Sequence, residues 1–233
     1  MEDIAIIPAR GGSKRIPGKN IRSFHGKPML AYAIAVARDC GLFSQVIVSS
    51  DNKTILSMAE SLGAFPLRRP TELADDFTPT VPVIAHAINT IEKQTAKICS
   101  AACCIYPSVP FLTSEDLVLA RQILTSNPSN YVFPIVAFPS PIARALRHQP
   151  GGRVDPFFAE NAQMRTQDLR EAYYDAGQFY WAQRRTWVEQ LPVHPNGVGI
   201  VVSPWRAIDI DTIEDWERAE LLYRALHLKG PSE

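Results

Sequence analysis

Strand-sized apolar runs alternate along this chain with segments of helical spacing, the pattern of an α/β fold with a mostly parallel sheet covered by helices on both faces. Two further observations support that class. The first apolar run opens directly into a glycine-rich loop, as first strands of such sheets do. The 233 residues, 46% hydrophobic and 21% charged, have the composition of one large globular domain spanning 1–233.

The elements follow in order. Residues 4–8 (IAIIP) read as a buried strand, and 28–40 as a helix with Pro28 near its first position. A strand is predicted over 45–50 and a helix over 52–62, with Asp51 as its N-cap and Gly63 as its stop. A short strand at 64–67 leads into a polar loop containing Asp75 and Asp76, then a helix over 81–93. Residues 99–105 form a strand, 114–126 a helix capped by Ser114 or Thr113, and 131–138 another strand. From about 139 to 171 no clean helix is visible, and this segment is expected to cover the site or to meet a partner subunit. Strands at 177–182 and 197–202 and an amphipathic helix over 212–228 close the chain.

The 24 basic and 24 acidic side chains cancel, which argues against a nucleic-acid binder. No apolar run is long enough for a membrane span and Met1-Glu2-Asp3 is acidic, so a cytoplasmic location away from membranes is expected. Cys99, Cys103 and Cys104 sit in one apolar run and Cys40 stands apart, which reads as buried free thiols.

Two motifs carry chemistry. "IIPARGGSKRIPGKN" puts Arg10, Lys14, Arg15 and Lys19 into one glycine-containing loop after the first strand. Glycines let backbone N–H groups approach an anion, and the cations add charge where phosphate oxygens would lie. It is neither a P-loop nor a G-x-G-x-x-G dinucleotide turn, which disfavours a nicotinamide dehydrogenase. Read alone, it could also be a solvated surface loop. Near the other end, "AIDIDTIEDW" alternates Ile208-Asp209-Ile210-Asp211, so both carboxylates face one side of an extended segment, with Arg206 nearby. Such a pair suits a Mg²⁺ that also binds phosphate oxygens. Thr212 to Asp215 alone would be a helix capping box.

"IPARGGSKRIPGKN", "VIVSSDN", "RRPTELADDFT", "CCIYPSVPFL", "DAGQFYW" and "IDIDTIEDW" together resemble the CMP-sialic acid synthetase family, in its pseudaminic acid branch. The resemblance implies a Rossmann-like nucleotidyltransferase sheet of GT-A-like type with a small dimerisation extension, hence a homodimer. It also implies CTP and a nonulosonic sugar acid as substrates and Mg²⁺ as cofactor. Carried onto this sequence, it gives Arg10 and Lys19 as triphosphate contacts. Ala9, Gly11, Gly12, Ser13, Lys14 and Asn20 share that nucleotide-binding motif. Asp209 and Asp211 become the metal ligands, and Arg69 lies close to the cytosine. Where sialic acid enzymes carry a base-reading Gln, this chain has Tyr106, as the pseudaminic branch does.

For the sugar acid, Arg165 is a candidate fork for a carboxylate, and Gln178 and Tyr180 alternate on one strand facing it. Asp175 begins that strand and could cap a turn. His86 and His148 read as satisfied polar residues. Two rival functions remain at this point. One is the same chemistry on sialic, legionaminic or ketodeoxyoctonic acid, and the other is a nucleotide-binding module without catalysis.

Overall fold

The computed structural model describes residues 2–128, 131–195 and 197–227. Its elements, in chain order, begin with β1 (Glu2–Pro8), the two-residue strands β2 (Ser23–Phe24) and β3 (Lys27–Pro28), and α1 (Met29–Asp39). Then come β4 (Gln45–Ser50), α2 (Lys53–Ser61), β5 (Phe65–Arg68), α3 (Thr80–Thr95), β6 (Cys99–Ile105) and α4 (Ser114–Ser126). After β7 (Val132–Ala137) lie the hairpin strands β8 (Leu146–His148) and β9 (Val154–Pro156). The chain ends with β10 (Tyr173–Asp175), β11 (Phe179–Gln183), α5 (Arg184–Val188), β12 (Val198–Val201) and α6 (Ile213–His227). The expected end of the last helix, Leu228, lies outside the described residues.

One twisted sheet runs β5-β4-β1-β6-β11-β7-β12, with β10 beside β7 on the same side as β11. The pairs β1–β4, β1–β6, β4–β5 and β7–β12 are parallel; β10 and β11 run antiparallel to their neighbours. The sheet is thus mostly parallel, with two reversed strands, β10 and β11, that apolar periodicity alone does not orient.

Alternation along the strands splits the core in two. Ala5, Ile7, Val46, Val48, Cys103 and Trp181 pack toward α1, α2 and α4. Ile4, Ile6, Ile47, Ala102, Cys104 and Tyr180 pack toward α3 and α5. Cys99, Cys103 and Cys104 are buried free thiols, all raised above the ordinary value by burial.

A third, smaller cluster joins Ile16, Phe24, Met29, Phe111, Ile210 and Trp216. It belongs to neither sheet face. Instead it fastens the loop after β1 to the segment before α6, and fully burying one such isoleucine is worth about 1.5–3 kcal/mol. Residues 139–171 hold the β8–β9 hairpin and three short 3-10 turns, mostly exposed.

Candidate active site

β1 is the strand from which the chain proceeds outward through β4 and β5 on one side and returns to β6 on the other. Ligands of such sheets bind at the carboxyl ends beside that reversal. A cleft of about 600 Å³ opens there, lined by residues of the loop after β1, the turns after β5 and β6, and Asp211.

The loop is fixed by several ties. Ala9 is fully buried and its N–H donates to the Ser49 carbonyl at 3.0 Å. The Gly11 N–H donates to the Asp51 carboxylate at 2.9 Å, and a Cβ at Gly11 would lie 2.8 Å from Asn52 Cβ, so only glycine fits. Asp51 is therefore not the cap of α2. Asn52 is, its side chain accepting from the N–H groups of Thr54 and Ile55, one residue later than the sequence led us to expect. Gly18 takes a left-handed conformation (φ 64°) and starts a 3-10 turn over Lys19–Ile21. Asn20, buried, donates back across the loop to the Arg10 carbonyl at 2.9 Å.

Arg10, Ser13, Lys14 and Lys19 line the cleft, as does Asn20. Ala9, Gly11 and Gly12 do not; they shape the loop from behind. The cations are held by two carboxylates. Asp76 takes Arg10 and Lys14, whose hydrogen bonds hold its carboxyl below the ordinary value, the Lys14 bond contributing most. Asp211 takes Arg15 at 2.8 Å and Lys19 at 3.4 Å. Lys19 also donates to the Ile210 carbonyl at 2.7 Å and is only 20% exposed, against 79% for Lys14.

Ile210 is buried while Asp209 and Asp211 point away from the core, as the alternation requires. The Asp209 carboxylate makes no hydrogen bond among the described residues, and surrounding protein and then Asp211 raise it above the ordinary carboxylate value. Thr212 and Asp215 exchange the capping-box bonds of α6, so Asp215 is a cap and Asp209 is not. Arg206, expected beside the aspartates, is instead claimed by Asp116 of α4, through a close ion pair and a second bond at 3.1 Å. Its charge stands outside the cleft.

The other end of the cleft is drier. Arg69 is 5% exposed, and its Nε and one terminal nitrogen have no partner. Burial lowers its pKa and Arg10 adds to that, against the raising effect of the Asp51 carboxylate. The Tyr106 hydroxyl meets Thr80 Oγ1 at 2.7 Å, and Thr80, Val83 and Leu73 complete this end. Burial raises the Tyr106 phenol to about 12.

The sugar candidates lie elsewhere. The Gln178 side-chain amide donates to the Arg206 carbonyl at 2.6 Å, and Tyr180 is buried behind Tyr106 with its hydroxyl on Asp175 at 2.8 Å. Arg165 is exposed on the extension, before the 3-10 turn at Thr166–Asp168. None of the three lines the cleft. Asp175 accepts from the Gly177 N–H at 2.8 Å, closing a turn. His86 is bonded weakly at one ring nitrogen and unpartnered at the other.

Residues 4–190 match the family model described as Cytidylyltransferase. The chain is 38% identical over 229 residues to the pseudaminic acid cytidylyltransferase of Campylobacter jejuni, covering 97% of this chain and 98% of that one.

The chain belongs to the cytidylyltransferase family.

Other relatives in this family include the CMP-N,N'-diacetyllegionaminic acid synthase of Legionella pneumophila, 30% identical over 95% of this chain and 96% of that one. Among solved structures, a CMP:2-keto-3-deoxy-manno-octonic acid synthetase complexed with CTP superposes with a TM-score of 0.73 at 16% identity, over 97% of this chain and all of that one. A 4-diphosphocytidyl-2C-methyl-D-erythritol synthase gives 0.64 at 13% identity, over 95% and 98%. At those identities the likeness is one of fold.

Proposed function

We propose that the protein transfers CMP from CTP to a nonulosonic sugar acid, pseudaminic acid first among them, releasing pyrophosphate. The observation that carries the reading is the meeting of Lys19 with Asp211, residues from opposite ends of the chain, in one cleft beside Arg10 and Lys14. The full-length likeness to a pseudaminic acid cytidylyltransferase favours that acid.

Cations of the loop would take the triphosphate. Arg10 and Lys19 neutralise charge on the β- and γ-phosphates as the anomeric hydroxyl of the acid attacks the α-phosphorus in line and pyrophosphate departs. To admit it, Arg10 and Lys14 must leave Asp76, an exchange of one exposed anion for another that costs little. Arg69 offers its free N–H groups to the acceptor edge of cytosine.

Asp209 and Asp211 are the pair to hold Mg²⁺. An all-oxygen set of two carboxylates fits a cation that takes its remaining ligands from water and phosphate. No group of three or more metal-ligating side chains forms among the described residues, so on this reading water and the nucleotide complete the shell. The raised Asp209 carboxyl is a charge that a bound cation would relieve. When bound, Mg²⁺ supplies Lewis-acid stabilisation at the phosphate.

The extension at 139–171 is the surface for a second copy of the chain. Leu146, Val154 and Phe157 are each more than half exposed there, an apolar display suited to a homodimer contact. A cytoplasmic location agrees with this chemistry, and no described helix is long and apolar enough to cross a membrane.

The test is pyrophosphate release from CTP and Mg²⁺ with pseudaminic, sialic, legionaminic and ketodeoxyoctonic acids in parallel. Release with pseudaminic acid well above the others is expected. Preference for another acid would reassign the sugar. CTP binding with no release for any acid would leave a nucleotide-binding module.

A further inference from the structure

Asp209 and Asp211 ride on a segment that belongs to no strand. Residues 203–211 run between β12 and α6 and join no sheet ladder among the described residues. Their placement therefore depends on side chains that reach them from other elements. On the Asp211 side, the Lys19 ammonium donates to the Ile210 carbonyl at 2.7 Å, and the Ile210 side chain is buried in the third cluster. On the other side of Asp209 the fixed point is Arg206, which is held twice.

Gln178, just before β11, is 4% exposed, and its side-chain amide donates to the Arg206 carbonyl at 2.6 Å. The Arg206 guanidinium is forked onto Asp116 of α4 and also donates to Thr113 Oγ1 at 3.4 Å. Both holders are themselves fixed. Buried Asp116 accepts from the Thr113 hydroxyl at 2.8 Å within the capping box of α4. The backbone carbonyl of Gln178 accepts from the Tyr106 N–H at 2.9 Å. One residue thus has its carbonyl tied to the sheet and its side chain tied to a helix, which stops the 206–207 peptide from turning. Rotation of that peptide would swing the three residues that lead to Asp209. A metal ligand works only within about 0.5 Å of its productive place, so the support behind it matters as much as the ligand.

We infer that Gln178 and Asp116 are positioning residues which, acting through Arg206, set the Asp209 carboxylate beside Asp211 so that the two grip one divalent cation. The inference rests on the reading of these aspartates as the Mg²⁺ pair and deepens it. Gln178, Asp116 and Arg206 all stand outside the lining of the cleft, so each acts from behind. It also gives tasks to two side chains that the sequence directs elsewhere, Gln178 to the sugar and Arg206 to the phosphate.

The test is Mn²⁺ binding, read from the electron paramagnetic resonance signal of the free ion, with CTP present at saturation. It compares the full chain with Gln178→Met, which keeps the shape of the side chain, with Asp116→Asn, which keeps the cap, with the two combined, and with Asp209→Ala. Gln178→Met and Asp116→Asn should each weaken Mn²⁺ binding about ten-fold, the low end for groups behind a ligand. Combined, they should weaken it by less than the product of the two, because both act through Arg206. Inorganic tripolyphosphate without metal should bind both single variants within about two-fold of the full chain, since the loop cations are untouched. A merely structural role would lower Tm and leave the Mn²⁺ affinity of the folded protein in place. Unchanged Mn²⁺ affinity in the folded variants, with Asp209→Ala losing it, would overturn the inference and leave the metal pair standing. Unchanged affinity in Asp209→Ala would overturn the metal reading as well.

Discussion

The two ends of the cleft solve opposite problems. At the phosphate end Arg10, Lys14, Arg15 and Lys19 each have a carboxylate partner, and most of these side chains are well exposed. At the base end one cation, Arg69, is buried with part of its guanidinium unpaired. Exposed ion pairs are worth about 0–1 kcal/mol and open easily, so the first end is a set of anion sites already filled by replaceable anions. A buried unpaired donor carries a desolvation penalty that only a ligand relieves, so the second end is poised for a particular partner. On the proposed reading, charge admits the substrate at one end and geometry selects it at the other.

Three substitutions would break or sharpen that contrast. Lys19→Ala removes the one largely buried cation of the phosphate end, the one that also grips the Ile210 carbonyl. Its kcat/KM for CTP should fall about 10²–10³-fold, as for loss of a preorganised charge at a developing anion. A loss no larger than that of Lys14→Ala would erase the distinction between the two lysines.

Arg69→Met should pull affinity and stability apart. CTP binding should weaken by about 10–100-fold, the worth of a charged hydrogen bond, while Tm holds or rises because the buried charge is gone. A fall in Tm together with intact CTP binding would mark Arg69 as a structural residue.

Asp76→Asn should have the smallest effect and the opposite sign. With the competing carboxylate gone, CTP should bind a few-fold tighter, since an exposed pair holds the cations only weakly. The sign of the pH dependence follows from the depressed Asp76 carboxyl: its pairing is present above the ordinary carboxylate value and lost only as pH falls through the lower folded value. The gain should therefore be the same throughout the range of about pH 6–8, where carboxylates are charged. Weaker CTP binding by Asp76→Asn would show that the carboxylate assists the nucleotide instead of competing with it.

Much of this was legible in the sequence, for a physical reason. Strands at Gln45–Ser50 and Cys99–Ile105 and the helix at Ser114–Ser126 match the expected ranges, because apolar runs and a Thr113 capping box are local signals. The cationic loop and the aspartate pair were legible as chemistry, but what joins them was not. Ile16 and Ile210 sit inside the two motifs and look incidental there, yet both are buried in the cluster that brings the motifs together. The signal available was an isoleucine among charges in a loop.

Partner choice was less legible still. Arg206 stands near the aspartates in sequence but is bound by Asp116, ninety positions away. Asp51 looked like a cap one residue early, and Tyr180 like a sugar contact. In each case the side chain's type was informative and its destination was decided by which element packs beside it.

Mg²⁺-dependent pyrophosphate release by Asp209→Ala tests most directly whether the loop and the aspartate pair make one site. Asp209 is exposed, is not in the α6 capping box and makes no described hydrogen bond, so the variant should fold with an unchanged Tm. Turnover should fall by at least about 10²-fold, the scale of losing electrostatic stabilisation at the transferred phosphate, and raising Mg²⁺ should not restore it fully. Full turnover at ordinary Mg²⁺ in the folded variant would contradict the account.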